Sequence, residues 1–284
     1  MNMNSKNSPA VRFTKKLTNE APAAPVTKKV ESKEAQEAWG RIRPHLIEVS
    51  SLESLSGSES EVRSYLESKA KKFGYETKTD EVGNLWLYSD APEGEVLLCA
   101  HMDKVGEPRK ITEEGDKITG RLDDALGVSM IMGLIEAGSR PSVLFTVEEE
   151  TGYRGARCAA KNIYGAKEKR PKLVLVLDVS MLEEHGAGPL VYTSSGGITF
   201  PDLPLKAIEQ VVNENGLRAK LLPGIGNDST CFARIQNQAV ATLQVHVDNM
   251  HSPEEVALIS DVKEAALVLE NIVNNHAQFP ELKP

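Results

Sequence analysis

The chain has 284 residues, 40% of them apolar, and a formal charge of −8 at pH 7. That length can bury one large core or two small ones, and the acidic balance excludes nucleic acid as the main partner. No apolar run approaches the roughly 18 residues of a membrane span, and the amino terminus lacks the apolar core of a secretory signal. The three cysteines, Cys99, Cys158 and Cys231, are an odd number without ligand-like spacing. They read as reduced thiols of a cytoplasmic protein.

Residues 1–32 stand apart. Through residue 30 they carry six basic side chains (Lys6, Arg12, Lys15, Lys16, Lys28, Lys29) against one acid, Glu20, with little hydrophobic periodicity. This predicts a disordered basic tail, with a docking arm as the sharper alternative. Residues 33–284 then form one domain. The spacing predicts a helix over 33–49, kinked or broken at Pro44, and a second over 58–73 that stops at Gly74. Strands follow at 75–79, 84–88 and 96–100.

Residues 110–120 read as a small hairpin turning at Gly115-Asp116, and 124–138 as an apolar helix with Gly127 in its first turns. Further strands are expected at 145–147, 173–177, 189–193, 219–222 and 240–247, with a helix near 204–215. The stretch 223–230 reads as a loop into a helix, with Asp228 near its start. Ser252-Pro253-Glu254-Glu255 fits a capping box, so the last helix is expected over 253–275 with His251 just outside it. Strands alternating with helices imply an α/β fold with a mainly parallel central sheet and helices on both faces.

Chemistry gathers where the buried strands end. Val96–Ala100 leads to His101 and Asp103, Phe145–Val147 to Glu148, Glu149 and Glu150, and Leu173–Leu177 to Asp178. Ligands bind at that carboxyl edge in open α/β sheets. Asp123 stands at the start of a helix, where an N-cap role is the plain alternative. His101, Asp123, Glu150, Asp178 and His251 make two imidazoles and three carboxylates without a thiolate, a set suited to zinc, cobalt or manganese. Five ligands exceed one tetrahedral ion but serve two if a carboxylate bridges. Two ions about 3.5–4 Å apart polarise a carbonyl and supply hydroxide near neutral pH. A carboxylate that is not a ligand is then needed to move the water's proton, and Glu149 is placed for it.

These motifs resemble those of the co-catalytic dinuclear zinc exopeptidases, and most closely the deblocking or glutamyl aminopeptidases that build tetrahedral particles. AHMDKVG (100–106), RLDDALG (121–127), FTVEEETGYRGA (145–156), LVLDVS (175–180) and MHSPEE (250–255) match that family's motifs in order. The resemblance covers roughly residues 35–275. It implies the zinc-exopeptidase (phosphorylase/hydrolase-like) fold and two divalent ions bridged by Asp123. His101 and Asp178 would complete one site, and Glu150 and His251 the other. Asp103 would orient His101, and Glu149 would be the general base. Gly152 implies this register among the three glutamates, because the family places the ligand two residues before that glycine.

One departure matters. Relatives of the tetrahedral type insert a lid domain between the first histidine motif and the bridging aspartate, whereas only residues 104–122, nineteen in all, lie there in this chain. The loss would remove part of the substrate pocket and the surfaces that build large assemblies. The resemblance implies an aminopeptidase acting on small peptides, with no membrane partner. An amidohydrolase or dipeptidase of the same clan acting on N-acyl amino acids, and a non-catalytic metal-binding scaffold, are the alternatives. Asp228 and His246 are further candidates for contacting substrate, and His246 also for contacting metal. His45, His185 and His276 read as ordinary surface or core polar residues.

Overall fold

The protein is described by a computed structural model covering residues 31–279. The tail expected over residues 1–32 therefore lies almost wholly outside the described residues. The chain opens with α1 (Lys33–Ser51) and α2 (Ser60–Lys72), followed by β1 (Glu76–Thr79) and β2 (Leu85–Tyr88). The Ser32 side chain accepts the Ala35 N–H and starts α1. The helix then runs unbroken through Pro44, burying Trp39, Ile42, Leu46 and Val49.

β3 (Val96–His101) is buried along its whole length, as a strand covered on both faces must be. The hairpin β4 (Thr112–Glu114) and β5 (Lys117–Gly120) forms where the sequence predicts it. Next come α3 (Ala125–Glu136), β6 (Ser142–Thr146), α4 (Arg154–Tyr164) and β7 (Leu173–Ser180). The remainder is β8 (Leu190–Ser195), β9 (Ile198–Thr199), α5 (Asp202–Glu214) and β10 (Lys220–Pro223). After it follow α6 (Ser229–Phe232), β11 (Val240–His246), β12 (Glu255–Leu258) and α7 (Ile259–Asn274). Among the described residues no helix is long and apolar enough to cross a membrane.

The main sheet has the order β1-β2-β6-β3-β7-β11-β8-β10, with β9 paired to β8. Its central four strands, β6, β3, β7 and β11, are mutually parallel. The chain leaves β3 for β6 on one side and then returns past it to β7 on the other. That reversal opens a crevice at the carboxyl ends of the parallel strands. α3 and α7 pack together and cover one face, with α1 laid across them, while α4 and α6 pack together on the other.

Two elements depart from the sequence expectation. α4 is not among the predicted helices, because its buried stripe is built mainly of small residues: Gly155, Ala156, Ala159, Ala160 and Ile163. Gly155 has a separate reason to be glycine. A Cβ there would stand 2.2 Å from Asn84 Oδ1 and 2.6 Å from Val147 N, so the helix start is pressed directly onto the end of β6.

The second departure concerns residues 253–275. The final helix does not begin at Pro253; residues 255–258 are β12, and α7 starts at Ile259. Glu255 faces inward in place of closing a capping box, and β12 pairs antiparallel with β5, Glu255 opposite Gly120. The cap of α7 comes from elsewhere. Asp116, at the hairpin tip, accepts the Ser260 N–H at 3.0 Å and the Ser260 hydroxyl at 2.6 Å. The short segment 104–122 thus supplies both a partner strand and a helix cap.

Candidate metal centre

The crevice holds a cavity of about 360 Å³ whose wall includes His101, Asp123, Glu149, Glu150, Asp178 and His251. They arrive on five different pieces of the fold. His101 ends β3, Asp178 lies near the carboxyl end of β7, and Glu149 and Glu150 follow β6. Asp123 precedes α3, and His251 sits in the loop between β11 and β12. Asp124, rather than Asp123, caps α3, its Oδ1 accepting the Gly127 N–H at 2.9 Å. A Cβ on Gly127 would stand 2.5 Å from that carboxylate, so glycine is required there and Asp123 is left to face the cavity.

The geometry around Asp123 has two corners. Its Oδ1 lies 3.1 Å from His101 Nε2, which is also 3.7 Å from Asp178 Oδ1. Its Oδ2 lies 3.1 Å from His251 Nε2, which is also 3.1 Å from Glu150 Oε2. One atom each from His101, Asp123 and Asp178, and one each from Asp123, Glu150 and His251, fall within 4.8 Å of one another. Asp123 Oδ1 is buried and accepts no hydrogen bond despite the nearby nitrogen, and Glu150 Oε1 is likewise buried and unpaired. Imidazole and carboxylate approaching without an aligned N–H···O are arranged as donors to a common centre. The five residues therefore fit a pair of divalent ions, in a donor set suited to zinc, cobalt or manganese.

Charge points the same way. Burial alone would raise the Asp123 carboxyl, but the two imidazoles hold it well below the usual carboxylate range. His251 is raised to about 9, chiefly by the facing Asp123 carboxylate and further by Glu150. Burial pushes Glu149, Glu150 and Asp178 upward. Four carboxylates thus share two imidazoles in a buried pocket, and the excess negative charge calls for cations.

Asp103 lies against His101 and reaches beyond it. The imidazole Nδ1 is 2.9 Å from the Asp103 backbone oxygen and 3.5 Å from its carboxylate. The carboxylate also accepts the Glu149 and Glu150 N–H groups at 2.9 and 3.2 Å and the Ser56 hydroxyl at 2.7 Å. It fixes the backbone that carries both glutamates. Glu148 turns away and pairs with Arg154. Glu148, Tyr153 and His251 hold left-handed backbone, with φ of 51°, 61° and 64°. Such strain, of order 1–3 kcal/mol per residue, persists only where the surroundings impose it.

The two weaker candidates lie off the cavity wall. Asp228 is buried behind it, accepting from Thr146 and Cys99, and its neighbour Asn227 lines the cavity instead. His246 faces Asp248 and His185. Sequence reasoning missed Asn227, Tyr153 and Gln244 as wall residues. Gln244 stands opposite Asp178 in the β11–β7 register, and both its amide atoms are buried and unpaired.

The model of the M42 glutamyl aminopeptidase family matches residues 107–268, more than half of the chain. The chain belongs to the M42 glutamyl aminopeptidase family. A presumptive aminopeptidase of Acetivibrio thermocellus is 24% identical over 220 residues, which is 69% of this chain and 65% of that relative. This M42 chain thus covers slightly less than two thirds of that curated protein.

Two solved structures share the fold. An aminopeptidase of the archaeon Desulfurococcus kamchatkensis superposes with a TM-score of 0.75 at 17% identity, over 86% of this chain and 98% of that one. The Pyrococcus horikoshii TET1 peptidase, described as able to assemble into a tetrahedron or a large octahedral shell, gives 0.68 at 17%, over 82% and 99%.

Within this M42 chain one buried carboxylate ties the two corners together. Glu255 Oε2 accepts the Leu122 and Asp123 N–H groups, and Oε1 accepts the His251 N–H at 3.0 Å and pairs with Arg121 at 3.2 Å. It therefore sets Asp123 and His251 relative to each other. Glu255→Gln keeps the size but replaces one acceptor by a donor facing N–H groups. Outer-shell changes of this kind typically cost 10–100-fold in metal affinity. The expected result is a loss of that order in competition with a zinc chelator.

Proposed function

We propose that the protein is a metal-dependent aminopeptidase that removes N-terminal residues from small peptides. The reading rests above all on Asp123, whose two carboxylate oxygens are shared between two imidazoles, each backed by a further carboxylate. Membership in a family of glutamyl aminopeptidases supports the same reading. His101, Asp123 and Asp178 would hold one divalent ion of the zinc class, and Asp123, Glu150 and His251 the other. When bound, such a pair polarises the scissile carbonyl and makes hydroxide available near neutral pH.

The chain's own residues do the rest. Glu149, on the cavity wall beside Glu150, takes the proton of the attacking water and passes it to the leaving amine. Asp103 holds the Glu149 and Glu150 backbone so that base and ligand keep their places. The acidic pocket attracts the cationic amino terminus of a peptide, and the unpaired amide of Gln244 and the unpaired Nδ2 of Asn227 are available to its backbone. TET relatives form shells; with nineteen residues between Asp103 and Asp123, an assembly of this chain would use surfaces other than a lid.

A panel of matched peptides with free and acylated amino termini tests the reaction class. Free peptides shortened by one residue at a time, with acylated ones untouched, are the expected result. Cleavage confined to acylated substrates would shift the assignment to an amidohydrolase of the same fold.

A further inference from the structure

Beyond the cavity, past the carboxyl end of β11, a second constellation of metal-binding side chains stands apart from the first. His246 ends β11 and Asp248 follows two residues later. His185 arrives from the loop between β7 and β8. Asp248 Oδ1 is 3.0 Å from His246 Nε2 and Oδ2 is 2.9 Å from His185 Nε2. The imidazole rings lie 4.7 Å apart at 89°. One donor atom from each of the three residues falls within 4.8 Å of the other two.

Hydrogen bonding leaves this group incompletely satisfied. His246 is 3% exposed, and its Nδ1 has no partner. His185 Nε2 touches the carboxylate yet makes no hydrogen bond with it, and His185 Nδ1 is also unpaired. The same off-axis approach of nitrogen and carboxylate oxygen occurs between His101 and Asp123 at 3.1 Å. Zinc donors at about 2.0–2.1 Å from the ion stand about 3.3 Å apart in a tetrahedron. The present separations of 2.9 and 3.0 Å are within a few tenths of an ångström of that arrangement. Asp248 is half-exposed, which leaves the fourth position to water.

We propose that His185, His246 and Asp248 form a further binding site for a divalent transition-metal ion, outside the two-corner centre. Two imidazoles with one carboxylate suit zinc, cobalt, iron(II) or manganese rather than calcium or magnesium. Position gives the site its consequence. Asp248 and Val256 exchange backbone hydrogen bonds at 2.9 and 3.1 Å, closing the loop that carries His251. His185 belongs to the segment that begins with Met181 on the cavity wall. An ion held by the three residues would join the rim of the cavity to the loop that presents His251.

The test is a metal count on the full chain after equilibrium dialysis against zinc at a buffered activity that saturates the wild type. Wild type is compared with His185→Gln, at a partly buried position, and Asp248→Asn, at a half-exposed one, both checked for an unchanged melting temperature in the metal-free state. The expected result is one zinc equivalent fewer in each variant than in the wild type. Equal counts in all three proteins would overturn the site, whatever that number is, because the two-corner centre is common to them all. Loss in one variant alone, or a decrease of more than one equivalent, would equally contradict three residues holding one ion.

Discussion

Glu149→Gln is expected to lower kcat by about 10²–10⁴-fold, the range for removing a positioned proton-transfer group, with metal content unchanged. The residue is 8% exposed and lines the cavity, and its N–H is held by Asp103 rather than by its own side chain. Glutamine fills the same volume, accepts at one atom and carries no exchangeable acid proton, so packing survives and proton transfer does not. In the protein alone, burial raises the Glu149 carboxyl well above the usual range, and Asp178, Asp228 and Glu150 raise it further. Cationic charge in the two corners would act in the opposite sense and restore an ionised base near neutral pH. Parallel kinetics and metal analysis check the prediction. Loss of metal together with activity would instead make Glu149 a ligand.

Asp123→Asn is expected to act on metal and rate together. Asparagine offers one oxygen where aspartate offers two, and its amide nitrogen is a donor that cannot ligate. One of the two corners, the His101 side or the His251 side, then loses its shared carboxylate. Metal content should fall by at least one equivalent. Activity should fall by about 10³-fold or more, since Lewis-acid stabilisation by the lost ion amounts to several kcal/mol and each 1.36 kcal/mol is tenfold. The backbone around residue 123 stays tied to Glu255, so the fold should survive. Retention of full metal content by Asp123→Asn would show that Asp123 does not bridge.

The main sheet was legible in the sequence because its central strands are buried on both faces. Val96–Ala100 and Leu173–Leu177 carry the continuous apolar runs that such burial demands. The residues of the site were legible for a related reason. Acid and imidazole side chains directly after an apolar strand have few structural uses, and parallel strands deliver them to one edge.

What failed to show was settled by contacts between distant segments. Ser252-Pro253-Glu254-Glu255 has the letters of a capping box, yet Glu255 is drawn inward by Arg121 and by the Leu122, Asp123 and His251 N–H groups. Local propensity for a helix start gives way to that buried network. α4 was hidden for a different reason, because its packing stripe is made of small residues, with Ile163 its one large apolar side chain. His185 read as an ordinary polar residue, since nothing local announces that its loop folds against His246 and Asp248.

The central claim is that two ions held through Asp123 carry out peptide hydrolysis. It is tested most directly by metal analysis of gently purified protein, with leucine- and glutamate-p-nitroanilide hydrolysis measured before and after chelation. At least two equivalents per chain, activity abolished by the chelator, and recovery on adding zinc, cobalt or manganese are the predicted results. Hydrolysis that persists unchanged in fully chelated protein, or protein that binds no divalent ion after reloading, would contradict it.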